Sequence, residues 1–223
     1  YAFRVRKYSL LKTLGNGRGN LLDLGCGPAV MTEDILALGW MYDGVDIAPK
    51  MIELAKNKFA GRSVNFQVGS VEKIDFPDNY FDVIVAMGLV EYLTDETKAL
   101  REMRRVLKPG GRLIVSIPNW WSPARMWDRW ILTPLARTLR FLTRRGRSNK
   151  LFHREYKVHE YKKFLKQNGL ETLGWKSYNF RVIPRPFDYW FPQLAIWTAK
   201  LLENNKNRLW WIGTSINVEV QKN

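Results

Sequence analysis

The chain has 223 residues, 46% of them hydrophobic, and 36 lysines and arginines against 21 acidic residues give a formal net charge of +15. This length and composition suit one globular domain with a single buried core. One cysteine excludes an internal disulfide, and no apolar run reaches the roughly 20 residues of a membrane span. We therefore expect a cytoplasmic protein. The sequence starts at Tyr1 without a methionine, so we expect further residues before it.

Apolar runs alternate with helical patterns through the first half of the chain. The predicted strands are 21–24, 41–45, 64–68, 81–87 and 112–117. The predicted helices between most of them are 29–38, 49–59 and 95–107. This alternation predicts an α/β fold in which a mostly parallel sheet has helices on both faces.

The segment LLDLGCGP, residues 21–28, turns the chain from the first predicted strand into the first helix. In such sheets this turn is the usual cradle for a ligand. Gly25 and Gly27 allow a sharp turn and a close approach of the backbone to that ligand. Asp46 ends the second strand where a ribose-binding acid should lie, so the spacing alone also fits a dinucleotide.

Three details argue against a dinucleotide. Val30 stands where the third glycine of the dinucleotide pattern would be, and Pro28 removes an amide that a pyrophosphate would need. Asp23 would place a carboxylate beside the phosphates. A cofactor with an ammonium group and a ribose but no phosphate fits better, and S-adenosylmethionine has that composition.

Several further motifs follow in order: GVDIAPKMIELAK, FQVGSVEKIDFPDNYFDVIVAMGLVEYL, LREMRRVLKPGGRLIVSIPN and YKVHEYKKFLKQNGLE. Together with LLDLGCGP they resemble the class I S-adenosylmethionine-dependent methyltransferases of type 11, which include ubiquinone-biosynthesis enzymes. The resemblance covers residues 20–118 well and 150–180 loosely. It implies a Rossmann-like sheet of seven strands, the last one antiparallel and formed by INVEVQK near the C-terminus.

The resemblance implies a cofactor site in the loops that follow the strands: Asp23, Gly25, Cys26, Gly27, Asp46, Ile47, Met51, Ser70, Val71 and Met87. Asp23, beside the turn glycines, would lie near the ammonium group of the cofactor. Asp46 would accept hydrogen bonds from both ribose hydroxyls. Cys26 is interpreted as a small turn residue rather than a nucleophile.

Other residues of this set would contact the base and the sulfonium. Ile47 and Met51 would flank the adenine ring, and Met87 would pass close to the sulfonium. Many relatives carry an aspartate after the third strand, where Ser70 and Val71 stand here. The contact with the adenine amino group is therefore the part of the site where this chain departs from the family.

Candidates for a general base follow the fourth strand. Glu91 and Tyr92 lie there, and His153 follows the basic segment of the second half. Relatives that methylate quinol-like hydroxyls often have a histidine where Tyr92 stands, which weakens a quinol assignment. A carboxylate at a helix start, a packed aromatic ring and a surface histidine are the structural alternatives for these residues. We predict no metal site.

Charge and tryptophan are concentrated in the second half of the chain. Residues 1–118 carry 16 basic and 14 acidic residues, whereas residues 119–223 carry 20 and 7. All the tryptophans except Trp40 also lie in the second half. The pattern predicts a cofactor-binding half at 1–118 and surface-binding segments behind it, within one domain of residues 1–223.

Residues 119–150 form an amphipathic, basic insertion. At 100° per residue its apolar side chains gather on one side: Trp127, Trp130, Ile131, Leu135, Leu139 and Leu142. The opposite side carries arginines: Arg125, Arg129, Arg140 and Arg144. Pro134 is expected to break the run into two helical pieces. An aromatic face opposite a basic face is typical of a helix lying in a membrane interface.

A second aromatic segment lies at about 181–211, within the C-terminal part 151–223. Its apolar side chains recur at helical spacing, and Pro192 interrupts the run early: Phe187, Trp190, Phe191, Leu194, Trp197 and Leu201. Trp210 and Trp211 add an aromatic pair. The alternative is that both segments pack on the sheet as a lid, and a lid that dips into lipid would combine the two roles.

Three functional hypotheses follow. The favoured one is a methyltransferase acting on a small hydrophobic or lipid-like acceptor, peripheral at an anionic membrane surface on the inner face of the membrane. The second is an RNA methyltransferase that uses the basic second half. Against it, no NPPY-like tetrapeptide follows the fourth strand and no Pro-Cys pair supplies a nucleophile, so nucleic acid is the less favoured partner. The third is a cofactor-binding protein without catalysis. The oligomeric state is not predicted.

Overall fold

The computed structural model describes residues 2–135, 138, 154–181, 183, 187–204 and 210–222. The strands are β1 (Asn20–Leu24), β2 (Met41–Asp46), β3 (Asn65–Val68), β4 (Phe81–Ala86), β5 (Leu107–Pro118), β6 (Leu170–Phe180) and β7 (Gly213–Lys222). The α-helices are α1 (Ala2–Leu14), α2 (Thr32–Ala37), α3 (Pro49–Lys58), α4 (Glu96–Val106), α5 (Pro123–Trp127), α6 (Val158–Gln167), α7 (Phe187–Trp190) and α8 (Pro192–Asn204). Short 3₁₀ turns occupy Val90–Tyr92 and Trp210–Ile212.

These strands form one seven-stranded sheet in the order β3-β2-β1-β4-β5-β7-β6. The pairs among β1 to β5 are parallel, and β7 is antiparallel to both β5 and β6. Leu21, Leu22 and Leu24 of β1 are all fully buried, as expected for a parallel strand covered on both faces. The predicted Rossmann-like fold and its antiparallel C-terminal strand are confirmed.

The two faces of the sheet carry separate apolar clusters. On one face, Leu10 of α1, Ile35 of α2 and Ile52 of α3 pack around Tyr42. On the other, α4 and α6 supply a buried set that includes Leu100, Met103, Tyr161 and Leu165. The sheet therefore forms a layer between two layers of helices, and the loops that connect the elements lie at its edges.

One edge of the sheet collects the functional loops. The parallel strands β1 to β4 end there, and β5 and β6 end at the same edge. Because β7 is antiparallel, it begins at that edge. The glycine turn at 25–27 and the aromatic segments after β5, after β6 and before β7 therefore leave the sheet on the same side.

Some elements differ from the sequence predictions. β5 begins at Leu107 rather than at 112, with a shift of its register against β4 between Phe81 and Val83. The first predicted helix, 29–38, is shortened to Thr32–Ala37 because the glycine turn extends through Ala29, which has a positive φ of 55°. Helix α1 was not predicted, since its apolar residues do not share one stripe.

The break predicted at Pro134 is wrong. The backbone is helical through Thr133, Pro134 and Leu135, and the irregularity is a π-helical turn at Asp128–Leu132 immediately before them. A π turn is wider than an α turn. It therefore leaves room for the ring of Pro134, and its hydrogen bonds do not require the N–H that proline lacks. The Thr133 hydroxyl also donates to the Asp128 carbonyl, at 2.7 Å. Leu139, Leu142, Arg140 and Arg144 lie outside the described residues.

No helix in the described part of the chain combines the length and apolar character that crossing a bilayer requires.

Candidate active site

The turn after β1 is built on left-handed backbone conformations. Gly25 and Gly27 have φ angles of +72° and +53°, a region in which side chains other than glycine are strained. The amide of Gly25 donates to the Val45 carbonyl at 2.8 Å, and the amide of Cys26 donates to the same oxygen at 3.2 Å. The turn is thereby fixed against the end of β2.

Asp46 joins this turn to the start of α3. Its Oδ2 accepts from the amide of Gly27 and its Oδ1 accepts from the amide of Ala48, both at 2.9 Å. Each carboxylate oxygen has a further lone pair available after these bonds. A carboxylate held at both oxygens in this way is oriented to accept two hydrogen bonds from a vicinal diol such as a ribose.

Asp23 is a buried carboxyl in the same region. It is 2% exposed, and the Tyr42 hydroxyl donates to its Oδ2 at 2.8 Å. Burial raises the pKa of Asp23 from 3.8 to about 7, and the charge of Asp46 raises it further, while the Tyr42 hydroxyl lowers it. A cation beside Asp23 would offset the electrostatic cost of ionising this buried carboxyl, whereas a phosphate would increase that cost. Glu33 and Asp34 in the first turn of α2 also disfavour a phosphate.

Asp23→Asn is expected to stabilise the protein at alkaline pH. The native carboxyl keeps its proton up to about pH 7, but the unfolded one loses it near pH 3.8, so this group lowers stability as pH rises through that window. At pH 8 the full penalty of a pKa raised from 3.8 to about 7 is present, so we expect the free energy of unfolding of the variant to exceed that of the wild type by about 4 kcal/mol. Urea denaturation at pH 8 and at pH 5 measures this difference. A variant that is equally destabilised at both pH values would contradict it.

The predicted adenine wall is open to solvent. Ile47 directly follows Asp46 and is 75% exposed, and Met51 on the first turn of α3 is 37% exposed. Apolar side chains left open beside a polar site are suited to contact with a flat aromatic ring. Met87, directly after β4, is 6% exposed and belongs to the apolar cluster on the α1 face of the sheet.

Two predicted site residues are engaged within the protein. The Ser70 hydroxyl accepts from the amide of Glu72 at 3.2 Å and so stabilises its own turn. Val71 is 8% exposed and packs in the core cluster with Val45 and Ile74. After the third strand the chain therefore has a local turn, and Ser70 supplies a hydroxyl instead of the carboxylate that the family resemblance implied.

Cys26 is buried, at 7% exposed, and its thiol lies 3.7 Å from the Gly27 carbonyl oxygen. Burial raises the pKa of this thiol well above its usual range, and Asp23 and Asp46 raise it further. A thiol that stays protonated is a poor nucleophile. This agrees with its interpretation as a small turn residue.

The candidate bases differ in burial. Glu91, in the 3₁₀ turn after β4, is 6% exposed, and its Oε2 has no hydrogen-bond partner among the described residues. Burial raises the pKa of Glu91, whereas Arg6 and Arg125 lower it. Tyr92 is 51% exposed. His153 lies outside the described residues.

A cavity of about 800 Å³ lies elsewhere, between the start of α4 and α6. Its lining mixes charges of both signs, including Asp95, Glu160 and Lys157, and contains none of the predicted site residues. Glu96 in its wall is buried and bonds to Arg154 and to the Tyr156 hydroxyl, each at 3.1 Å. This cavity is therefore separate from the glycine turn and Asp46.

Comparison with known proteins identifies the domain. Residues 22–115 match the family model described as a methyltransferase domain, Methyltransf_11. The chain is 36% identical over 117 residues to the ubiquinone/menaquinone biosynthesis C-methyltransferase UbiE of Desulfotalea psychrophila, covering 50% of this chain and 46% of that protein. It is 38% identical over 98 residues to the sterol 4-C-methyltransferase strm-1 of Caenorhabditis elegans, covering 42% of this chain and 29% of that protein.

A solved S-adenosylmethionine-dependent methyltransferase from Methanosarcina mazei superposes with a TM-score of 0.66 at 18% identity, over 96% of this chain and 97% of that one.

The chain carries an S-adenosylmethionine-dependent methyltransferase domain. It spans less than half the length of the two curated relatives, so their matches concern this domain. The residues of the methyltransferase site fit the cofactor: a buried carboxyl that needs a cation, a carboxylate with two free lone pairs, and an exposed apolar wall.

Sequence reasoning missed helix α1 and its contacts beside the end of β4. Arg6 of α1 reaches the backbone beyond β4: its Nη1 lies 2.6 Å from where a Cβ on Gly88 would stand. Ser9 of α1 accepts from the Asn217 side chain of β7 at 3.0 Å. These contacts join residues more than 80 positions apart, and no local pattern in the sequence signals them.

Proposed function

We propose that this methyltransferase transfers a methyl group from S-adenosylmethionine to a small hydrophobic or lipid-like acceptor at an anionic membrane surface. One curated relative is named for ubiquinone and menaquinone biosynthesis and the other for sterol methylation, and both names refer to hydrophobic molecules. The single observation that carries the membrane part is an exposed aromatic surface at the same edge of the sheet as the glycine turn.

Within the cofactor site the proposed roles follow from the contacts. Asp23 would bind the ammonium group and remain ionised beside it, and Asp46 would accept from the ribose hydroxyls. Gly25 and Gly27 would let the backbone approach the methionine part, and Ile47 and Met51 would cover the adenine. When bound, S-adenosylmethionine supplies a methyl group on a positively charged sulfur. The protein then has to exclude water, orient the acceptor and remove its proton.

The aromatic surface is formed by exposed side chains of two segments. Its members are at least 44% exposed: Trp130, Ile131, Leu135, Tyr189, Trp190, Phe191, Leu194, Trp197, Leu201 and Trp211. The segments contact each other, since the rings of Trp127 and Phe187 lie 6.5 Å apart and Arg181 forms ion pairs with both Asp128 and Asp188. Contiguous exposed apolar side chains of this kind mark a site of interaction with lipid or protein.

The orientation of the first segment supports lipid contact rather than a closed lid. Arg125 bonds to Glu155 at 3.2 Å and to the Thr214 carbonyl at 2.9 Å, and Arg129 bonds to Glu155 and stacks on Trp120. Arg125 and Arg129 thus face the protein, while Trp130 and Leu135, at 70% and 62% exposed, face away from it. A lid would bury those apolar side chains against the sheet.

The second segment has the same arrangement. Helix α8 rests on β6 through small residues such as Ala199, which is 2% exposed, and leaves Leu194 and Trp197 at 49% and 59% exposed. The excess of basic residues in 119–223 provides the attraction to anionic lipid, at about 1 kcal/mol for each lysine or arginine near the surface. We therefore also propose that the protein is cytoplasmic and forms one domain over residues 1–223. It would lie at the inner face of the membrane as a peripheral protein.

Incubation of a lipid extract with the protein and isotopically labelled S-adenosylmethionine tests the reaction. We expect mass spectrometry to find the label in a hydrophobic product, with equal amounts of S-adenosylhomocysteine released. The control is Asp46→Asn, which should incorporate no label. Label found instead in RNA, added to a parallel reaction, would favour the RNA hypothesis, and no label with either would contradict the proposed reaction.

A further inference from the structure

A polar cluster lies between α1 and the sheet, next to Met87. It contains buried polar atoms that have no hydrogen-bond partner among the described residues: Glu91 Oε2, the Tyr178 hydroxyl and Asn217 Oδ1. Tyr178 and Asn217 are 3% and 2% exposed. Buried polar atoms in folded proteins are almost always paired, so several unpaired atoms at one place indicate a ligand that would pair with them.

The register of the strands places these groups together. Tyr178 of β6 is opposite Ser215 of β7, and Asn217 of β7 is opposite Ser116 of β5. The hydroxyls of Ser116 and Ser215 lie near the Tyr178 hydroxyl and lower its pKa, but neither is within hydrogen-bond geometry of it. The Ser116 hydroxyl instead accepts from the amide of Gly88 at 2.6 Å, immediately after Met87.

Arg6 brings a positive charge to the same cluster. Its guanidinium lies over Gly88, where an added Cβ would stand 2.6 Å from Nη1. The charge of Arg6 lowers the pKa of both Glu91 and Tyr178, against burial, which raises both. A cation, a carboxyl group and a phenol hydroxyl therefore surround one location beside the end of β4.

We propose that Arg6, Glu91 and Tyr178 bind the methyl acceptor through a hydroxyl group, which makes the methylated atom an oxygen. This inference rests on the proposed function and specifies its substrate class. A hydroxyl donates one proton, which the Glu91 carboxylate accepts. The oxygen that remains has three lone pairs: one forms the bond to the methyl carbon, and two accept from Arg6 and Tyr178.

The same arrangement disfavours an amine. A protonated amine would be repelled by Arg6, and a neutral amine has a single lone pair, which the methyl transfer itself requires. The atoms balance for a hydroxyl: the O–H proton passes to Glu91, the O–C bond forms, and the electron pair of the broken S–C bond stays on sulfur. Arg6 and Tyr178 act here by direct contact with the acceptor oxygen.

Paired probes test this specificity. With S-adenosylhomocysteine bound, calorimetry should show that 4-hexylphenol binds to the wild-type protein at least 10-fold more tightly than 4-hexylaniline. With S-adenosylmethionine, 4-hexylphenol should give its methyl ether. Arg6→Leu and Tyr178→Phe should each weaken the binding of 4-hexylphenol at least 10-fold and leave the affinity for S-adenosylhomocysteine within 2-fold.

Stability and matched variants separate ligand binding from a structural role. Because the Tyr178 hydroxyl has no partner, we expect Tyr178→Phe to melt at the same temperature as the wild type or higher. Arg4→Leu and Tyr8→Phe, at exposed positions of α1, are the controls and should leave the binding of 4-hexylphenol unchanged. Equal binding of the two probes, no binding of 4-hexylphenol, or unchanged affinity in both variants would overturn the inference. Loss of S-adenosylhomocysteine binding in the wild type would instead contradict the proposed function.

Discussion

Asp46→Asn is expected to lower the affinity for S-adenosylmethionine by at least 100-fold. The carboxylate of Asp46 accepts from the amides of Gly27 and Ala48, and an asparagine can accept from only one of them. Its amide group would face the other N–H, and one of the proposed ribose contacts would also be lost. Hydrogen bonds to charged groups contribute about 1.5–3 kcal/mol each, so the loss of two corresponds to at least 100-fold. Isothermal titration calorimetry at pH 8 measures the affinity.

Asp43→Asn is the matched control for this variant. Asp43 lies on the same strand, and its side chain accepts from Asn65 at 2.9 Å, away from the glycine turn. We expect its affinity for S-adenosylmethionine to stay within 2-fold of the wild type. Equal effects of the two substitutions, or an unchanged affinity in Asp46→Asn, would show that Asp46 does not bind the ribose.

Replacing Trp130, Trp190 and Trp197 together with serine is expected to reduce binding to anionic vesicles at least 100-fold. These side chains are 70%, 62% and 59% exposed. Each would bury on the order of 100 Å² in the interface, which contributes about 2.5 kcal/mol. Co-sedimentation with vesicles of phosphatidylserine and phosphatidylcholine measures the partition coefficient. Binding to pure phosphatidylcholine should be weaker for the wild type, because the basic second half then has no anionic partner.

The control for the vesicle experiment replaces exposed apolar residues away from the aromatic surface. Met41, Leu54 and Leu173 are 59%, 54% and 52% exposed, and Met41 and Leu173 lie towards the opposite edge of the sheet. Their triple serine variant should bind vesicles as the wild type does. If both triple variants lose binding equally, or neither does, the aromatic surface is not the membrane contact.

The cofactor half of the fold was predictable because its signals are local. Buried runs such as Leu21–Leu24 and the glycines of the turn are read within a few residues, and the register of the parallel strands brings the ends of β1 and β2 together. Helix α1 was missed because its apolar residues form no single stripe. The Ser70 side chain is oriented by its hydrogen bond from the Glu72 amide, and the Val71 side chain by packing in the core. The spacing of these residues in the sequence predicts neither contact.

The acceptor side was less predictable for a physical reason. Glu91 was a candidate base from its place after β4, but the groups that act on it come from α1, α5 and β6, which are distant in sequence. The orientation of the aromatic segments was also not determined by their amphipathic pattern. The same pattern fits a lid and a membrane contact, and the ion pairs of Arg125 and Arg129 with Glu155 decide which face meets the protein.

Titration of the wild-type protein with S-adenosylmethionine and, separately, with NAD⁺ tests the central claim most directly. The claim is that the turn after β1 and Asp46 hold a nucleoside that carries a positive charge and no phosphate. We predict one S-adenosylmethionine bound per chain and no heat with NAD⁺. Binding of NAD⁺ with no heat from S-adenosylmethionine would contradict the claim.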